Sequence, residues 1–219
     1  MPTVDNVKEV EIKEPWKGPP SAEDESLRLS SLEITSIIPQ VEQYPFADQS
    51  IYRGDFSYEE RSVFGVDKAK GTFQVRVGSG LFILRKESGQ ADTDKIVSTF
   101  NQAVDGQFEI HDTNILSRAG LWRFIKSADR PISITILHPT GDEKTIQDLR
   151  DEEDEELTIS EIADREYPIV AADLIFGSDK EGTVYVRYDR SSLSISAPDE
   201  ESHEYFVQKF ERDVIAGID

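Results

Sequence analysis

The sequence predicts an α+β protein of two pseudo-repeated β-rich units, mostly antiparallel, each ending in an amphipathic helix. One turn-and-strand pattern occurs twice, at residues 64–77 and again at 176–188. Each copy continues into residues that alternate with the period of a half-buried strand. Each then closes on an apolar stripe at helical spacing.

The repeat rests on self-comparison. FGVDKAKGTFQVRV and FGSDKEGTVYVRY share eight identities with one residue inserted: Phe64 with Phe176, Gly65 with Gly177, Asp67 with Asp179, Lys68 with Lys180, Gly71 with Gly182, Thr72 with Thr183, Val75 with Val186 and Arg76 with Arg187. Weaker matches extend it upstream, through Ile34 with Ile134, Thr35 with Thr135 and Pro39 with Pro139. Downstream they run through Leu81 with Leu193, Ile83 with Ile195, Phe100 with Phe210, Val104 with Val214 and Gly106 with Gly217. The offset between copies grows where the second carries DEEDEE, residues 151–156, so that run reads as a solvated loop insertion.

Residues 1–30 mix Pro, Ser and charge and read as a flexible acidic, Pro-rich tail. Within it, Val7, Val10 and Ile12 have the spacing to add a strand to a sheet edge, and Trp16 between Pro15 and Pro19–Pro20 suits a docking peptide. The first unit takes 31–106. Its FG-x-DK-x-G segment supplies Asp and Gly for a hairpin turn, TFQVRV and LFILRK supply strands, and a helix starts near Asp92 or Thr93 with Ile96, Val97, Phe100 and Val104 inward.

A strand-helix connector spans 107–130, with QFEIHDTNI as strand and NILSRAGLWRFIKSA as helix, Ile115, Ala119, Trp122 and Phe124 or Ile125 facing in. The second unit takes 131–219. It holds a short helix near 158–164 with a Thr158–Glu161 capping box. Its last helix begins after Pro198 with acids in the first turn and carries Tyr205, Phe206, Phe210 and Val214.

Composition bounds the function. Forty-four acids against twenty-four bases leave a formal charge of −20, which disfavours general nucleic-acid binding. Self-repulsion at that charge destabilises a compact chain in dilute buffer and is screened in concentrated salt. In this, with no Cys and one Met, the composition resembles the proteome style of haloarchaea and predicts a saline cytoplasm. Absence of Cys excludes disulfides, thiol catalysis and thiolate metal sites. MPTVDNVKEVEIKEPWKGPP lacks the features of a signal peptide, and no apolar run is long enough for a spanning helix, so no membrane insertion is expected.

No catalytic pattern stands out. His111, His138 and His203 lack metal-ligand spacing, and His111-Asp112 fits a capped strand end as well as an acid–base pair. Ser79 in VGSGLF has no nucleophile elbow, and its glycines fit a bend in the strand. No catalytic, cofactor or metal residue is assigned. One segment runs against the global charge: SRAGLWRFIKSADR holds Arg118, Arg123, Lys126 and Arg130 with Trp122 among them.

Arg118, Trp122, Arg123 and Lys126, with Trp16, are therefore the candidate partner-binding residues. The leading expectation is a non-catalytic interaction or assembly protein, binding a protein partner or itself, with viral, defence or mobile-element assemblies as fold-level analogies. Nucleic acid is expected only locally, through 117–130. The alternative is a metal-dependent hydrolase or nuclease using acids between the two halves.

Overall fold

The computed structural model describes residues 4–14, 26–62, 65–104, 106–111, 117–153, 157–165, 167–177, 182–190 and 192–217. The chain divides into two units, one comprising Thr3–Ile38 and Phe46–Ile115, the other Pro39–Pro45 and Leu116–Asp219. Each has an antiparallel sheet and its own helices, so the α+β class stands.

The first unit is a meander of β2 (Leu27–Ser36), β3 (Ser50–Ser62), β4 (Gly65–Arg76) and β5 (Leu81–Gly89), each antiparallel to the next. β1 (Val4–Ile12) adds to β5, and the short β6 (Phe108–Ile110) adds to the end of β1. β4 and β5 are joined at Gly78-Ser79-Gly80, where Gly80 has φ +65° and Gln49 Oε1 accepts from the amides of Gly78 and Ser79, both at 3.1 Å. The GSG is thus a hairpin turn held by a buried amide.

Helix α1 (Thr93–Ala103) is capped by Asp92, whose carboxylate accepts from the Asp94 amide. Its Ile96, Val97 and Phe100, with Val104 beyond its end, lie in one core cluster with Phe56, Phe73, Val75, Phe82 and Leu84 of the sheet. The Phe100 ring meets Phe73 at 5.0 Å and Phe82 at 5.3 Å edge-on, the geometry that ring quadrupoles favour. A left-handed Gly106, φ +74°, follows the helix.

The second unit repeats that order. β7 (Arg130–Leu137), β9 (Ile169–Phe176), β10 (Val184–Asp189) and β11 (Ser192–Ser196) form an antiparallel meander, followed by α5 (Glu200–Phe210). Between β7 and β9 the chain inserts β8 (Glu143–Thr145), α3 (Ile146–Glu153) and α4 (Ile159–Asp164). β8 extends the sheet beyond β7, and α3 packs beside both. α2 (Arg118–Lys126) covers β9, with Phe124 against Phe176 at 5.3 Å and edge-on to Phe210 at 5.6 Å.

Glu211–Ile215 continues α5 as a π-helical turn, and Gly217, φ +63°, follows. Gly120 of α2 lies under that turn: a Cβ there would stand 2.5 Å from the Asp213 carbonyl oxygen. Only a residue without a side chain permits this approach. The segment Pro39–Pro45 straps the other side of α5 and its turn.

The helical stripes agree position by position. Ile96, Val97, Phe100 and Val104 are buried in the first unit, and Phe206, Val207, Phe210 and Val214 in the second, at identical spacing. So do the strand ends: Phe73 and Val75 are buried, as are Val184 and Val186.

Other expectations change. Residues 4–12 form β1 with Val7 and Val10 buried, and β2 starts at Leu27, so the predicted tail holds a paired strand as well as residues 15–25, which lie outside the described residues. The predicted connector is shared out, β6 to the first unit and α2 to the second. The front of the repeat motif differs. Asp67 and Lys68 are strand residues paired across from Glu60 and Glu59, because β3 and β4 stay paired as far as Ser62 and Gly65; in the second unit the pairing of β9 with β10 stops at Phe176 and Val184, and Gly177 and Gly182 beyond it both have positive φ.

Asp151, Glu152 and Glu153 belong to α3 rather than a loop, since the preceding Ile146 and Leu149 anchor a helix against β7 and β8. Tyr205 and Ala119 face outward, not in. Phe64, Asp112, Ile115 and Asp179–Lys180 fall outside the described residues.

Candidate functional site

The α2 segment brings most of the sequence candidates together. Ser117 opens the helix by accepting from the Gly120 amide at 3.1 Å, and the apolar positions Leu121, Trp122, Phe124 and Ile125 turn into the core. That leaves Arg118, Ala119 and Lys126 exposed, with Arg123 half-buried at the boundary. A groove of about 780 Å³ runs along this face, lined by Arg118, Trp122, Arg123, Lys126, Ala163 and Asp164 among others.

Each cation is positioned by its neighbours. The Arg123 guanidinium donates to the Asp213 carbonyl at 3.2 Å, which ties α2 to the π-helical turn. Lys126 holds Asp164 of α4 at 3.9 Å, beyond hydrogen-bond range. Arg123 and Lys126 also occupy the last turn of α2, where the helix dipole favours positive charge.

Trp122 faces inward, as its position on the helix predicts. Its ring is only 4% exposed, and its indole N–H donates to the Tyr167 carbonyl at 3.1 Å. It is a core side chain whose edge reaches the groove, so the groove is cationic rather than aromatic. Trp16 lies outside the described residues.

A second polar cluster carries no motif in the sequence. Gln208, Glu211 and Asp213 are buried on α5 and its π-helical turn, Glu211 fully. The Gln40 amide donates to Gln208 Oε1 at 2.8 Å, the Tyr44 hydroxyl donates to Glu211, and Arg212 donates to the Glu42 carbonyl at 3.3 Å. Lys209 and Arg212 both meet the Asp213 carboxylate, at 3.3 and 2.7 Å. The available signal was the placement of Glu211 and Asp213 between Phe210 and Val214 inside an apolar stripe. Acids there must be paired when buried.

The remaining candidates stay apart. His111 closes a strand end, its amide donating to the Glu9 carbonyl; His138 shares a hydrogen bond with Thr140 at 2.8 Å; His203 is buried on α5. Among the described residues, no group of three or more His, Asp or Glu is arranged to hold a metal ion. Among them also, no helix is long and apolar enough to cross a membrane. Comparison of the chain with protein-family models, with curated proteins and with solved structures finds no match.

Proposed function

We propose that the chain is a non-catalytic interaction or assembly protein of a saline cytoplasm that recognises an acidic protein segment through the α2 groove. One observation supports this most: on a chain of net charge −20, Arg118, Arg123 and Lys126 line a single groove in which Asp164 is the one carboxylate among the described residues. A local field opposite in sign to the surroundings steers and orients an acidic partner while the rest of the surface repels it. Fixing Arg123 to the π-helical turn reduces the ordering cost of such a contact.

The test is fluorescence anisotropy of labelled poly-glutamate and of a single-stranded oligonucleotide in low salt. Poly-glutamate binding that the pair Arg118→Glu with Lys126→Glu weakens roughly tenfold or more supports the reading. Binding of the oligonucleotide alone transfers the groove to nucleic acid. No binding of either overturns it. The saline-cytoplasm part has its own readout: the thermal midpoint should fall steadily as salt is removed and the screening length grows from about 3 Å at 1 M to about 30 Å at 0.01 M.

A further inference from the structure

β2 is the outermost strand of the first meander, and among the described residues no strand pairs with its outer side. Its counterpart in the second unit shows what such an edge takes. There β8 pairs with β7 over Thr135–Leu137, α3 packs alongside, and Ile134 is 2% exposed. The matching Ile34 of β2 is 67% exposed, and Ile38 beyond it 78%.

Open strand edges are usually blunted by charge. β2 instead carries only Arg28 and Glu33 in ten residues, which cancel within a chain of −20. A second copy could therefore approach this edge without local repulsion.

The residue order supplies the complementarity. LRLSSLEI reads nearly the same in both directions. Laid antiparallel on another copy about a two-fold axis between Ser30 and Ser31, it sets Leu27 opposite Ile34, Leu29 opposite Leu32, and Arg28 opposite Glu33, twice over. Such a pairing requires opposite residues to share a face. They do so because β2 is bulged: its register with β3 slips between Ser30 and Glu33, with Ser31 at φ +54°. Leu29 and Leu32 consequently both pack on the core cluster, and Leu27 and Ile34 lie on that same face through their partners Tyr58 and Tyr52.

We infer that β2 pairs with β2 of a second copy in this register, forming a two-fold dimer with a sheet continuous across the axis and Ile34 covered. This contact is separate from the α2 groove and stands without it.

Sedimentation equilibrium of the full chain tests it across protein concentration in low and high salt. A dimer is expected. Arg28→Glu and Glu33→Arg each create two like-charge pairs and should weaken it roughly tenfold in low salt, while the double swap R28E/E33R restores it. Both side chains are exposed, and far-UV circular dichroism checks that each variant folds. A chain monomeric at every concentration overturns the proposal. So does a dimer indifferent to the single swaps, a double swap that fails to restore, or a dimer abolished by the substitutions at Arg118 and Lys126.

Discussion

The two units share a scaffold and differ in its margins. Both run through a four-stranded meander into a helix whose four stripe residues are buried at the same spacing. Yet β3 and β4 pair over twelve positions where β9 and β10 pair over six, and α1 stops at a left-handed glycine where α5 passes into a π-helical turn. The second unit also closes its β7 edge with an insertion that the first lacks. Alternation and helical periodicity thus specify the scaffold, whereas residues added between elements decide which edges remain open.

The largest test of this equivalence is a pair of truncations. Phe100→Ala and Phe210→Ala each remove a fully buried ring that packs edge-on against another ring and should cost about 3–5 kcal/mol by urea denaturation. If one cost several-fold more than the other, the two stripes would not be equivalent. Gly120→Val sharpens the contrast between helix ends. It should cost about 1–3 kcal/mol through overpacking beneath the π-helical turn, a contact the first unit's α1 does not need.

Tyr44→Phe probes the strap. Loss of the hydroxyl deprives the buried Glu211 of one hydrogen bond and should cost about 1–3 kcal/mol, seen in the same assay. Thr158→Ala removes the α4 cap that belongs only to the insertion and should cost about 1 kcal/mol. The smallest effect is pH-dependent. Hydrogen bonds from Ser202, the backbone amide foremost, hold the Asp199 carboxyl below its ordinary range. That contribution is present above the unfolded carboxyl pKa of about 3.9 and is lost as pH falls through the lower folded value. The deficit of Asp199→Ala at neutral pH should therefore shrink in acid; a deficit constant with pH would remove the cap's electrostatic part.

Much of the scaffold was legible because it obeys local rules. The caps at Asp92, Thr158 and Asp199, the helical stripes and the strand alternation all depend on neighbours within a few residues. The length of the first hairpin was not legible, since Val66–Lys70 are polar enough to read as a turn and are made strand only by pairing with Ser57–Arg61. At the candidate site the cations share one groove and Trp122 faces inward as its helical position predicts, but the partner of its indole N–H, a carbonyl 45 positions away, was not legible. The Glu211 cluster was hidden for the same reason. Its partner Tyr44 lies 167 positions earlier in the chain.

That separation bears on how the molecule is made. The Pro39–Pro45 strap leaves the ribosome long before the helix it fastens has been synthesised. At about 5–20 residues per second, on the order of ten to thirty seconds elapse before Glu211 emerges to meet Tyr44. The first unit can be complete by then while the second still waits for that helix, so a nascent chain halted after residue 115 and before α5 would carry a finished first unit and a strap with nothing to hold.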